Sequence, residues 1–339
     1  MLVTMRAIHA TEPGGPEVLS VVDLPDPEPG AGEVVVDVAA AGINFIDTYR
    51  RSGVYPMDFP HVPGSEGAGT LSAVGPGTDG LAVGDRVAWA EAPGSYAERV
   101  VVAADATLPV PAGLDLETAA ALPLQGMTAH YLATSAFPLQ AGHTAVVTAA
   151  AGGVGLLLTQ LAKARGARVI GTVGSPEKEG LARAAGADEV IRYAELDDMT
   201  AELPRIVREL TDGAGVEVVY DGVGKDTFDA SLASLRRRGT LVLFGGASGQ
   251  VPPFDPQRLN AAGSVYVTRP KLGDYTVERE ELLWRASEIF DAAASGSLDV
   301  QVGARHPLAE AGTAHEALEG RATTGKVLLV PRGLSSASR

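Results

Sequence analysis

Apolar runs of two kinds divide the chain. Up to about Ala104 they are short and strand-like, at Val18–Val22, Glu33–Val38, Gly69–Val74, Asp85–Trp89 and Tyr96–Val102. Pro25-Asp26-Pro27, Pro29-Gly30, Gly75-Pro76-Gly77 and Pro93-Gly94 separate them. Short strands between frequent Gly and Pro turns predict a compact, barrel-like β domain. From Leu116 to Leu132 the sequence turns Ala-rich and helix-compatible, interrupted by Pro123-Leu124-Gln125-Gly126, and this marks the passage into a second domain. There, buried strands at Ala145–Val147, Ala167–Val173, Glu189–Ile191, Val216–Tyr220, Thr240–Phe244 and Ser264–Val267 alternate with helices at Leu156–Ala162, Pro176–Ala185, Leu203–Leu210 and Thr227–Leu235. Such βα alternation predicts a doubly wound parallel sheet covered on both faces, with ligands at the carboxyl ends of its strands. A helix at Val277–Ala294, another at Leu308–Leu318 and a strand at Gly325–Val330 continue no βα repeat, so they are expected to pack back on the first domain. The serine-rich tail Gly333–Arg339 is expected to fray.

A length of 339 residues fits this two-domain division, since single cores stop growing at roughly 250 to 300 residues. No run of about 18 apolar residues offers a membrane span, and the opening MLVTMRAIHATEPGG lacks the apolar core of a signal peptide, so a cytoplasmic location is expected. The formal charge of -15 argues against a nucleic-acid partner, which needs clustered Lys and Arg. With 0 cysteines the chain has no disulfide, no thiolate nucleophile and no Cys-containing zinc site. Its 6 histidines, at 9, 61, 130, 143, 306 and 315, include no pair at metal-ligand spacing.

The chemistry centres on Thr144–Gly155, TAVVTAAAGGVG, a buried strand running through a small-residue turn into a helix. Such a turn lets a pyrophosphate approach main-chain N–H groups at the positive end of a helix. Ala150–Gly155 fits the dinucleotide fingerprint except for Ala150 in the first glycine place; alone this signal is weak, and the alternative is a glycine-rich turn that binds nothing. An NAD site places Asp or Glu at the end of the next strand, to bind the ribose 2′-hydroxyl. This chain has Gly174-Ser175 there, followed by Lys178, whose ammonium suits a 2′-phosphate, and NADPH is favoured. The alternative is a solvated helix lysine between Glu177 and Glu179.

Several ordered motifs carry a resemblance over nearly the whole chain. Ala41–Pro56 (AGINFIDTYRRSGVYP), Pro63–Gly69, Gln125–Ala129, Ala149–Gly155, Tyr220–Gly224, Tyr266–Pro270 and Arg321–Gly325 together resemble quinone oxidoreductases of the zeta-crystallin type, in the zinc-independent branch of the medium-chain dehydrogenase/reductase superfamily. The resemblance implies an α/β protein with a GroES-like β-barrel catalytic domain at 1–124 and 269–339 and a Rossmann NADPH-binding domain at 125–268. It implies that zinc-dependent relatives carry their catalytic ligands where this chain has Asn44, Ser65 and Gln125, so no metal is expected. The cofactor would lie in the cleft between the domains. Gly153 and Val154 would hold its pyrophosphate, and Gly174, Ser175, Lys178 and Tyr193 its 2′-phosphate. Gly222 would lie beside the adenine ribose and Phe244 and Ser248 farther along, with Asn44, Tyr49, Thr128, Tyr131, Pro270, Leu272 and Arg321 at the nicotinamide half. Asn44, Tyr49, Tyr55 and Gln125 are the candidate catalytic hydrogen-bond donors at the substrate end.

The activity this implies is metal-free, NADPH-dependent reduction of quinones. Reduction of enals or enones on the same scaffold is the alternative, and a non-catalytic NADPH-binding crystallin-like or RNA-binding role is a second. The resemblance further implies a homodimer through the edge strand Ser264–Val267.

Overall fold

The computed structural model describes residues 4–331; the tail from Gly333 lies outside them. The described residues within Met1–Met127 and Thr276–Arg339 form one unit, and Thr128–Tyr275 form the other.

In the first unit, β1 (Thr4–Ala10) and β2 (Leu19–Pro25) make an antiparallel hairpin. The run GluValValValAspVal opens β3 (Glu33–Ile43), most of whose residues are buried. It is the central strand: β4 (Glu66–Val74) and β6 (Arg99–Ala103) both pair with it antiparallel. β5 (Arg86–Trp89) pairs with β4 and carries the short β7 (Leu108–Pro109). Immediately after β3 the chain turns into α1 (Phe45–Arg51), where Asp47 in the first turn takes the Asn44 N–H at 2.9 Å. That reciprocal contact satisfies a donor the helix leaves open. α2 (Leu116–Ala120) follows, N-capped by Asp115. α3 (Pro123–Tyr131) begins at a proline, which a first helical position accepts. Pro123-Leu124-Gln125-Gly126 therefore starts a helix, and the first seam between the units, after Met127, falls inside it.

The second unit is a six-stranded, all-parallel sheet built from β8 (Thr144–Val147), β9 (Arg168–Val173), β10 (Glu189–Arg192), β11 (Val216–Asp221), β12 (Leu235–Leu243) and β13 (Tyr266–Thr268), in the order β10-β9-β8-β11-β12-β13. Strand order reverses beside β8, the switch point where such sheets bind ligands. α4 (Gly153–Ala164), α5 (Pro176–Ala184), α6 (Met199–Glu209), α7 (Phe228–Ser234) and α8 (Gln257–Ala261) are its helices. Val146, Ile170, Val219 and Leu241 are buried in the core of the sheet. The expected edge strand Ser264–Val267 needs correction. Ser264 sits at φ +57° after Gly263, Val265 is buried, and pairing starts only at Tyr266, opposite Thr240. The left-handed turn at Ser264 is what delays the strand.

The chain then returns to the first unit. α9 (Arg279–Ala294) is followed by β14 (Val302–Pro307), α10 (Ala311–Glu319) and β15 (Lys326–Val330). β15 pairs antiparallel with β3, and Val327, Leu329, Ala311 and Ala314 join Val36, Val38, Leu71 and Trp89 in one core.

Candidate active site

At the end of β8 the glycine turn is shaped by backbone contact. A Cβ on Gly155 would come within 2.4 Å of the Ala149 carbonyl oxygen and 2.8 Å of the Ala150 Cα, so only glycine lets α4 pack this closely. The left-handed residue of the turn is Ala149, at φ +49°. Ala150 is not left-handed, which removes the conformational objection to alanine in the first fingerprint place. Room for its methyl group comes from the next strand, where a Cβ on Gly171 would lie 2.9 Å from the Ala150 Cβ. The first turn of α4, with Gly153 and Val154, has neither an acidic residue nor a side-chain cap. Its N–H groups are those a pyrophosphate would take.

Gly174, Ser175, Lys178 and Tyr193 come together at the end of β9. Ser175 Oγ accepts the Lys178 backbone N–H at 3.3 Å and starts α5. A Cβ on Gly174 would lie 2.7 Å from the Tyr193 hydroxyl. Gly222, Phe244 and Ser248 form a second group at the ends of β11 and β12. The Phe244 ring covers the Gly222 Cα, and Ser248 Oγ donates to the Val223 carbonyl at 2.9 Å. Tyr131 stacks on Tyr275 with ring centroids 4.4 Å apart, which places it against the turn containing Leu272. Thr128 lies on α3, and Pro270 is buried just before that turn.

Sequence reasoning did not single out what holds these strand ends. Asp221 is fully buried, and its carboxylate accepts from Val223 and Gly224 N–H, from Thr227 Oγ1 and from Ser231 Oγ at 2.7 to 3.1 Å. Thr148 Oγ1 accepts the Gly222 N–H at 2.9 Å and thereby ties the β8 turn to β11. The signal for Asp221 was an acidic residue closing an apolar strand.

In the first unit, Asn44, Gln125, Tyr49 and Tyr55 surround the end of β3. Tyr49 lies on α1, and Tyr55 packs edge-on against it at 5.5 Å. Asn44 is buried, and its amide is engaged on both sides. Nδ2 donates to Glu66 Oε1 at 2.6 Å, while Oδ1 accepts from Lys326 Nζ at 2.9 Å and from Gln125 Nε2 at 3.3 Å. Lys326 and Glu66 form an ion pair, their side chains 2% and 0% exposed. Glu66 Oε2 takes the Leu124 N–H at 2.7 Å. Gly42 leaves space for the pair: a Cβ there would lie 2.5 Å from Glu66 Oε1 and 2.6 Å from Lys326 Cε. Glu66 and Lys326 escaped the sequence reading, although each is a charge opening an apolar strand. Arg321, also in this unit, follows α10 with φ +57°.

These contacts test the fit of zinc. Ser65 Oγ donates to Asp47 Oδ1 at 2.8 Å and accepts from Arg50 Nη1 at 2.7 Å. Asn44 Oδ1 already faces an ammonium, so a second cation would meet like charge. Among the described residues no group of three or more His, Cys, Asp or Glu is placed to hold a metal ion. The three positions do not fit zinc.

The same region holds two groups with opposed titration. Burial pushes the Asp47 carboxyl up to about 6, against hydrogen bonds from Ser65 and Asn44 that lower it. Burial and the neighbouring Arg51 push His315 down to about 3. Tyr96 bridges them, its hydroxyl 3.1 Å from Asp47 Oδ2 and 3.1 Å from His315 Nε2. The folded value of Asp47 is raised, so its contribution is complete below pH 3.8 and lost as pH rises through about 6. That of His315 is depressed, so its contribution is present above pH 6.5 and lost as pH falls towards about 3. Asp47→Asn is therefore expected to steepen the acid loss of stability, removing an opposing gain of about 3 kcal/mol between neutral and acid pH. His315→Gln is expected to flatten that loss. Urea unfolding at pH 4, 5, 6 and 7 checks both; parallel profiles for Asp47→Asn and the unchanged chain would refute the assignment.

Comparison with known proteins places the chain. A family model described as alcohol dehydrogenase GroES-like domain matches residues 30–112, and one described as zinc-binding dehydrogenase matches residues 153–283. The quinone oxidoreductase of Pseudomonas aeruginosa is 48% identical over 320 residues, 94% of this chain and 97% of that protein. The chain belongs to the quinone oxidoreductase family. Its fold is accordingly a GroES-like domain joined to a Rossmann-type parallel sheet. Within this fold, a mycobacterial structure solved in complex with NADPH is 54% identical, with a TM-score of 0.93, and covers 96% of this chain and 100% of that one. The 2-haloacrylate reductase of a Burkholderia species is 38% identical over 339 residues, 98% of this chain and 100% of that protein.

Proposed function

We propose that the protein reduces quinones at the expense of NADPH and without a metal. The observation that carries this is the end of β9, where Gly174, Ser175, Lys178 and Tyr193 gather with no carboxylate among them, one strand from the glycine turn of α4. Gly153 and Val154 would receive the pyrophosphate, and Ser175, Lys178 and Tyr193 the 2′-phosphate. Gly222 would lie beside the adenine ribose and Phe244 and Ser248 farther along, with Thr128, Tyr131, Pro270, Leu272 and Arg321 at the nicotinamide half. Bound there, NADPH supplies a hydride equivalent. The work of the chain is to orient the acceptor ring and to donate hydrogen bonds to the oxygen that gains charge. Tyr49 and Tyr55 are the donors proposed for it, because the Asn44 amide is occupied by Glu66, Lys326 and Gln125.

The test is NADPH and NADH oxidation against a panel of quinones, enones and aldehydes. Lys178→Ala is expected to weaken NADPH binding by roughly tenfold, one charge-assisted contact, and to leave NADH binding unchanged. An unaltered NADPH/NADH preference would remove Lys178 from the 2′-phosphate site. The haloacrylate-reducing relative favours a second reading, reduction of an activated carbon-carbon double bond, which the enones in the panel address.

We further propose a homodimer formed at β13, the edge of the second unit's sheet, where Tyr266 is 59% exposed. A monomer mass by light scattering at micromolar concentration would contradict it. The proposed location is the cytoplasm; among the described residues no helix is long and apolar enough to cross a membrane.

A further inference from the structure

Gln125 Oε1 is buried and has no hydrogen-bond partner among the described residues. The chain of contacts behind it leaves its identity as an oxygen no freedom. The Lys326 ammonium only donates, so the Asn44 atom facing it is the carbonyl oxygen; the Glu66 carboxylate accepts, so the atom facing it is the amide nitrogen. With Asn44 Oδ1 fixed, Gln125 meets it through Nε2 at 3.3 Å, and its oxygen is the atom left over. Turning the Gln125 amide over would set two carbonyl oxygens against each other. Turning Asn44 over as well would set an NH2 against the ammonium and an oxygen against the carboxylate. A buried ion pair therefore fixes the polarity of an amide two contacts away, and the acceptor it presents is one that folding alone leaves unmet.

We propose that Gln125 Oε1 accepts a hydrogen bond from a neutral donor, O–H or N–H, on the reacting ring of a bound ligand, and that Lys326 and Glu66 are positioning residues that hold it as an acceptor. This rests on the NADPH-dependent quinone reduction proposed above. The two reacting rings of that reaction each carry such a donor: the phenolic hydroxyl of the reduced ring and the carboxamide N–H of the nicotinamide. An oxidised quinone carries none, so this contact separates product from substrate or fixes the cofactor; it adds nothing to the affinity for the quinone itself.

Calorimetric binding to the full chain separates these sources. One arm compares NADPH with its 3-acetylpyridine analogue, in which a methyl replaces the carboxamide nitrogen; the other compares a naphthohydroquinone with its dimethyl ether, on the NADP-loaded protein. In one arm the donor-bearing ligand is expected to bind about tenfold tighter than its twin, the worth of a single neutral hydrogen bond. Gln125→Met is expected to bring that ratio to about one. The double variant Glu66→Gln/Lys326→Met, which removes both charges together, is expected to lower the same ratio with Gln125 intact. A merely structural ion pair would not move it. Discrimination in the first arm assigns the donor to the cofactor, and in the second to the product. Equal binding of both twins in both arms, or a ratio that survives Gln125→Met, overturns the proposal and leaves Oε1 to a bound water. Failure of NADPH to bind the unchanged protein would refute the NADPH reading instead, and the hydroquinone pair, measured without nucleotide, would then decide this one.

Discussion

Lys326→Met is expected to cost about 3 to 5 kcal/mol of stability, the usual consequence of leaving one charge of a buried pair without its partner. Both side chains are out of water, at 2% and 0% exposure, and the ammonium serves Asn44 as well as Glu66. The Coulombic gain of such a pair roughly repays the desolvation of the two ions, and removing one partner leaves only the debt. The same reasoning predicts a partial recovery: Glu66→Gln/Lys326→Met, which buries no net charge, is expected to regain most of the loss. Chemical denaturation of the two variants side by side is the measurement. A single variant within about 1 kcal/mol of the unchanged protein, the range of an exposed pair, would mean that Glu66 and Lys326 are not the buried ion pair described.

Gly155→Val is expected to lower NADPH affinity by about a hundredfold, the worth of one or two hydrogen bonds to a charged pyrophosphate. The substituent has no side chain to push aside. Its nearest neighbours are the carbonyl oxygen of Ala149 and the backbone of Ala150, so α4 itself must shift, and with it the N–H groups of its first turn. Overpacking of this kind typically costs about 1 to 3 kcal/mol in stability, less than would unfold an ordinary domain. Fluorescence titration with NADPH thus reads the binding loss in a folded protein. Ala150→Gly is the control: it restores the full glycine fingerprint at a position that does not use the left-handed conformation, and is expected to leave affinity unchanged. Near-normal NADPH binding by Gly155→Val would show that the pyrophosphate does not sit on this helix end.

Much of the second unit was legible because its order is local. Val146, Val169 and Val219 lie in runs whose length and flanking turns announce buried parallel strands, and TAVVTAAAGGVG announces its strand, turn and helix within twelve positions. The accommodation of Ala150 was not legible, because the residue that makes room for it, Gly171, belongs to the neighbouring strand. The first unit was less legible for the same reason, amplified. The resemblance marked Asn44, just after β3, but whether its amide is free or engaged depends on a lysine 282 positions away. That lysine reaches it only through the register that sets Val327 opposite Ile43 and Glu66 opposite Gly42. Strand β14 and helix α1 were missed because neither carries an apolar run long enough to stand out. The late start of β13 turned on the conformation of a single residue, Ser264, which composition does not reveal.

The placement of Lys326 on β15 also bears on the order in which the molecule can be made. The nucleotide-binding sheet is complete once Thr268 has left the ribosome, and a parallel sheet with its own core can fold while synthesis continues. The first unit cannot. Its central strand is synthesised early, yet the strand that covers its open edge, the helix that fills its core and the cation that neutralises Glu66 are all made after the second unit's sheet, from Ala311 onward. Until then Glu66 has no buried counter-ion. A chain released before Lys326 would carry a complete second-unit sheet beside a first unit whose central strand lacks β15 and whose Glu66 lacks its counter-ion.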